Sequence, residues 1–170
     1  MHPTAARVQE RLRERGLDVE VRVLPDSTRT AAEAAAAVGC EVGQIVKSLV
    51  FLRDETVSRD APAKPARPSL PGSVEPTPAV MVLCAGDRRV GAERLGLRAA
   101  SADEARAATG FAIGGVPPLG HDRELETLVD GSLRRFETVW CAAGTPHAVF
   151  EVATEALIGA IPGASVTDVD

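Results

Sequence analysis

Apolar positions along the chain alternate between helical and strand spacing. Ala5, Val8 and Leu12 recur every three to four residues, which predicts a helix over residues 4 to 15, capped by Thr4 and stopped at Gly16. Residues 19 to 24 alternate with period two and predict a half-buried strand that ends at Pro25. Thr30 and Glu33 have the spacing of a capping box ahead of an alanine-rich helix closed by Gly39. A continuous apolar and β-branched run from Gln44 to Leu52 then predicts a central strand, and Val80 to Cys84 predicts another. Ser101 and Glu104 repeat the capping box before a helix to Gly110. Short strands follow at 127–129, 138–142 and 148–152, then a helix over about 155–161 and a last strand near 165–169.

Between the two long strands the pattern breaks. Residues 53 to 78 hold six of the twelve prolines among charged and small residues, which predicts an extended or mobile loop joining two neighbouring strands. A chain of 170 residues suits one domain spanning 1–170, with this segment as an insertion. No apolar run reaches the ~18 residues of a membrane span, and the Arg-rich start lacks the apolar core of a secretory signal, so a cytoplasmic protein without a membrane partner is expected. Cys40, Cys84 and Cys141 are widely separated and odd in number, which argues against a disulfide framework and a structural zinc site. The net charge of −5 gives no general attraction to nucleic acid, and no DNA partner is expected; any RNA must be gripped locally or delivered by another protein.

Of nineteen basic residues only Lys47 and Lys64 are lysines, and Lys47 lies inside the central strand. Period two places it on one face with Ile45, Leu49 and Phe51. An ammonium buried unpaired there would cost several kcal/mol, and the usual outcomes are loss of its proton, a carboxylate partner such as Asp87, or a cleft whose ligand brings negative charge. A solvent-facing strand end, or an amine that snorkels outward, accounts equally for the residue.

Residues 110 to 121 carry Gly110, Gly114, Gly115 and Gly120 with Pro117 and Pro118. Flexible then stiff backbone can aim N–H groups at one point, as an oxyanion hole requires, although a plain turn has the same composition. The spacing fits neither a P-loop nor a dinucleotide fingerprint. His147, in the turn 142–150, could orient a substrate or water, or simply hold its turn. Cys141 lacks an orienting partner for a thiol nucleophile, no serine elbow is present, and no metal-ligand cluster is in view.

Taken together, the helix from Thr30, the strand 44–51, the Ala85-Gly86-Asp87-Arg88-Arg89-Val90 turn, the 110–120 loop and the turn at Gly144 resemble the YbaK/EbsC family. Its members are free-standing relatives of the editing domain inserted in bacterial prolyl-tRNA synthetases. The likeness runs from about residue 25 to the C-terminus and departs at the insertion. It implies an α/β (α+β) fold with a mixed, partly barrel-like β-sheet flanked by helices. It also implies hydrolysis of a wrongly attached small amino acid from a tRNA 3′ end, without a metal or cofactor. By the same resemblance Lys47, Gly114 and Gly115 are catalytic, while Pro117, Pro118, Asp87, His147 and Thr30 bind substrate. An activated ester fits this set, since its hydrolysis needs an oriented water and a stabilised oxyanion rather than a nucleophile triad.

The implied partners are aminoacyl-tRNA and, as a route of delivery, an aminoacyl-tRNA synthetase. Arg88, Arg89, Arg94 and Arg98 could form a phosphate patch or a solvated helix face. A non-catalytic module that binds a small amino-acid-like ligand or a protein is the alternative reading, and another small hydrolase using Lys47 is a third.

Overall fold

A computed structural model describes residues 2–25, 30–53, 79–121 and 125–170; the Pro-rich insertion expected at 53–78 lies outside them from residue 54 onward. The chain forms helix α1 (Pro3–Glu14), strand β1 (Val21–Val23), helix α2 (Ala31–Val38), strands β2 (Val46–Arg53), β3 (Ala79–Ala85) and β4 (Leu97–Ala99), and helix α3 (Ala102–Thr109). Strands β5 (Glu126–Asp130), β6 (Thr138–Ala142) and β7 (Ala148–Ala153), helix α4 (Thr154–Ala160) and strand β8 (Ser165–Thr167) follow.

Two sheets carry the fold, a mixed five-stranded one in the order β4-β2-β3-β5-β8 and a three-stranded one in the order β1-β7-β6. β2 and β3 pair antiparallel from Val46 opposite Ala85 to Leu52 opposite Ala79, as expected of strands on either side of the insertion. β3 and β5 run parallel, with α3 in the connection between them. Among the described residues a single parallel bridge between Ile45 and Trp140 links the sheets, which do not close.

Burial follows the two periods read from the sequence. Val80 through Ala85 of β3 are fully buried, so both faces of this strand are covered. Met81, Leu83 and Ala85 join the main core with Val46 and Val50 of β2, Val8 and Leu12 of α1, and Phe150 of β7. Val80, Val82 and Cys84 turn to the opposite face, against Phe51, Leu97 and Val169. Each fully buried Leu, Val or Phe contributes about 1.5–3 kcal/mol relative to exposure, so these two layers fix the position of β2.

Both expected capping boxes are present: Thr30 Oγ1 accepts from the Glu33 N–H at 3.1 Å, and Ser101 Oγ from the Glu104 N–H at 3.2 Å. The first helix corrects the sequence reading. His2, not Thr4, is its N-cap, because Pro3 has the fixed φ that suits the first helical position and the His2 ring accepts from the Thr4 N–H. No helix forms over residues 88–98, and three of the four arginines there are engaged, while Arg89 is exposed and makes no ion pair with a described residue. Arg88 faces Asp130, Asp168 and Asp170, Arg94 donates to the carbonyls of Asp168 and Asp170, and Arg98 pairs with Glu104.

The turn after β3 depends on close backbone approach. A Cβ added at Gly86 would lie 2.2 Å from the Val42 carbonyl oxygen and 2.9 Å from Ala31 Cβ. Gly86→Ala should therefore lower stability by about 1–3 kcal/mol, as overpacking does. Thermal unfolding would show this as a Tm lower by about 2–4 °C per kcal/mol, and an unchanged Tm would contradict this packing.

Candidate active site

β4 pairs with β2 only over Phe51–Arg53, and the bridge to β6 lies at Ile45. The stretch of β2 between them has a strand partner on the β3 side alone among the described residues. A cavity of about 690 Å³ occupies this gap, with β2 as its floor, Ala99 and Ala100 on one flank and Trp140, Cys141 and Ala142 on the other. The open edge explains why residues 45 to 51 all border it, whichever face their side chains occupy.

Lys47 stands on the face predicted for it. It lies opposite Cys84, as Leu49 lies opposite Val82 and Phe51 opposite Val80. The side chain is half-buried and borders the cavity. Its Nζ donates to the carbonyl oxygen of Arg88. This acceptor is neutral, so the amine is held in place without its charge being cancelled.

Asp87 lies on the rim of the same cavity, but its carboxylate is engaged by Arg135, with contacts of 3.0 to 3.3 Å. The Arg135 hydrogen bond holds the Asp87 carboxyl below its ordinary pKa. An internal Lys47–Asp87 ion pair, one of the options open to the sequence, is therefore not the arrangement found. Thr30, the cap of α2, borders the cavity, and Ala34, Val38, Ile45, Trp140 and Val149 make its apolar end.

The glycine/proline loop divides in two. Gly114, at φ 96°, borders the cavity with Ile113 and Val116, and its N–H donates to no group among the described residues. Gly115 is buried instead, and its N–H donates to the Ala112 carbonyl at 3.2 Å. Its carbonyl accepts from the Gly144 N–H at 2.8 Å, and an added Cβ would meet Thr145 Cα at 2.7 Å. Pro117 and Pro118 are buried and do not border the cavity; His121 Nε2 donates to the Pro117 carbonyl at 2.7 Å. His147 is exposed and faces a second cavity rather than this one. The structure thus brings Lys47, Asp87, Thr30 and Gly114 together, and sets Gly115, Pro117, Pro118 and His147 behind or beside them.

Sequence reasoning passed over Ser48. Its Oγ is buried, has no hydrogen-bond partner among the described residues, and Ser48 borders the cavity. The signal available was a lone hydroxyl in an otherwise apolar strand interior. The cysteines do not favour the thiolate: burial pushes the Cys84 thiol up to about 11 and raises the Cys40 and fully buried Cys141 thiols as well.

Residues 25–160 match the family model of the aminoacyl-tRNA editing domain. The chain belongs to that family. It is similar to a crystal structure of a candidate trans-editing enzyme for prolyl-tRNA synthetase, with 42% identity and a TM-score of 0.81 over 100% of this chain and 98% of the other. A scaffold used for computational epitope grafting matches at 37% identity and a TM-score of 0.81, over 100% of this chain and 99% of its own. The uncharacterised protein YwhH of Bacillus subtilis (strain 168) is 27% identical over 144 residues, which is 81% of this chain and 78% of that protein. No helix among the described residues is long and apolar enough to cross a membrane.

Two measurements check this geometry. A group with a lowered folded-state pKa contributes stability above its ordinary value near 3.8, and loses it as pH falls through the lower folded value. The stability gap between wild type and Asp87→Asn, at most about 1 kcal/mol for so exposed a pair, should be full at pH 7 and close as pH falls below about 4. A gap that stays constant down to pH 2 would contradict the Asp87–Arg135 pairing. Ser48→Ala removes a buried hydroxyl whose unmet hydrogen bonding costs about 1–3 kcal/mol, so it should melt at or above the wild-type temperature. A clear drop in Tm would mean that Ser48 has a partner in the folded protein.

Proposed function

We propose that the protein hydrolyses the ester linking a wrongly attached small amino acid to the 3′ end of tRNA, and that Lys47 is the residue on which this depends. The observation that carries the reading is a strand lysine held by a neutral carbonyl at the wall of a large cavity. Family membership supplies the substrate class. The cavity volume lies within the range of about 300–1,000 Å³ usual for ligand sites and exceeds what a small amino acid alone would fill, so there is room for the terminal nucleoside too.

The apolar end beside Ala34, Ile45, Trp140 and Val149 takes the amino-acid side chain. The ester carbonyl then lies near Lys47 and Gly114. Water adds to the carbonyl carbon, and the resulting oxyanion is stabilised by the ammonium of Lys47 and the N–H of Gly114. Collapse of the tetrahedral intermediate breaks the carbon–oxygen bond to the ribose, whose oxygen takes a proton. The products are the free amino acid and uncharged tRNA. The neighbouring ribose hydroxyl assists the attacking water, and the raised thiol pKa values of Cys84 and Cys141 favour direct water attack over a thioester route. Thr30 and Asp87 border the entrance and position the substrate.

Near this mouth carboxylates engage Arg88 and Arg135, which leaves Arg89 and Lys47 without an ion pair among the described residues, little free charge for a long RNA. Delivery by a synthetase fits that balance, and a cytoplasmic site of action follows from a tRNA substrate.

Lys47→Ala should reduce kcat/KM for mischarged tRNA at least 100-fold, while Tm changes little because the side chain donates only to one carbonyl on the cavity wall. A panel of mischarged tRNAs, assayed with and without their synthetases, measures this and identifies the amino acid removed. Full activity in Lys47→Ala would overturn the assignment.

A further inference from the structure

A second cavity of about 570 Å³ adjoins the first, and its chemistry is different. Two arginines, Arg7 of α1 and Arg106 of α3, and two histidines, His2 and His147, line it, and no carboxylate among the described residues does. Both arginines are exposed, and neither forms an ion pair with any described residue. This contrasts with Arg53, Arg88, Arg98, Arg134 and Arg135, each of which faces a carboxylate. In a chain with net charge −5, a concave surface on which the described residues bring two arginines and two histidines together suits an anion.

Local structure holds these groups ready. The Arg7 guanidinium lies 5.0 Å from the centroid of the buried Phe111 ring, which fixes its position while leaving N–H groups outward. His2 Nδ1 accepts from the Thr4 N–H, so in the neutral ring the proton sits on Nε2, where it can be donated. The first turn of α1 contains no acidic residue, so the positive end of the helix adds to the same field.

Position identifies the anion. The wall between the two cavities is a thin seam: Gly115 is buried against Gly144 and Thr145, and a Cβ on Gly114 would lie 3.9 Å from Pro146. Gly114 faces the first cavity, while Gly144, Thr145 and Pro146 face the second. A polymer whose acylated end enters the first cavity passes this seam and presents its next phosphodiesters to Arg7 and Arg106. We infer that the second cavity binds the phosphodiester backbone of the single-stranded 3′ end of the RNA substrate. This rests on the hydrolase reading for the identity of the polymer, and His147 then contacts RNA backbone rather than the ester.

Fluorescence anisotropy with a labelled single-stranded RNA ending in CCA tests it, comparing wild type with Arg7→Gln/Arg106→Gln. Arg13→Gln/Arg15→Gln, which makes the same charge change at the other end of α1, is the control. The groove variant should bind at least 10-fold more weakly, and the slope of log affinity against log salt should flatten by about 1.4, for two lost phosphate contacts on a single strand. The control should bind as wild type does. In turnover, the groove variant should raise KM for aminoacyl-tRNA at least 10-fold but hydrolyse aminoacyl-adenosine, which has no phosphodiester, at the wild-type rate. Equal weakening by the control, unchanged RNA binding, or an equal loss on aminoacyl-adenosine would each overturn the groove. A wild-type protein that binds the RNA through these arginines yet hydrolyses neither ester would overturn the hydrolase reading and leave the groove standing.

Discussion

The hydrogen bond from Lys47 to the Arg88 carbonyl is the constraint around which the site is arranged. An ammonium within an apolar sheet face is tolerated only if something accepts its protons, and a carboxylate acceptor would have cancelled the charge. A backbone carbonyl satisfies the first need without the second effect. The Arg88 carbonyl is held where it is by the turn at Gly86, whose close approach to Val42 admits no side chain, and by the Arg88 N–H bonded to the Ala85 carbonyl. Asp87 is drawn off to Arg135, so the nearest carboxylate in sequence does not compete for the amine.

Incomplete closure of the sheets gives this charge something to act on. Had β4 continued along β2, or β6 paired beyond the Ile45–Trp140 bridge, the cavity would be filled by strand. Its position is thus a consequence of two short pairings, three residues on one side and a single bridge on the other. The apolar residues at its far end belong to a separate small cluster of α2, Ile45, Trp140 and Val149, so this end can vary in size without disturbing the main core.

Much of this was legible in the sequence for physical reasons. The capping boxes at Thr30 and Ser101, the glycines that stop α2 and α3, and the face of β2 that carries Lys47 all follow from local rules. What escaped depends on tertiary contact. That Gly114 borders the cavity and Gly115 does not is decided by the Gly144 turn, about thirty residues away. That Arg88 and Arg98 face carboxylates while Arg94 is tied to backbone carbonyls depends on residues 168–170 and on Glu104. That Arg7 and Arg106 gather at one cavity without an ion pair to any described residue is likewise a matter of how α1 and α3 meet in space.

Residues 168–170 reach this same network from behind. Val169 is fully buried beneath the sheet, its carbonyl accepts from the Gly91 N–H at 2.6 Å, and Asp168 and Asp170 flank the Arg88 and Arg94 side chains. Displacing residues 168–170 would therefore slacken the segment whose carbonyl accepts from Lys47. The wall of the cavity would then loosen from a position that does not itself border it.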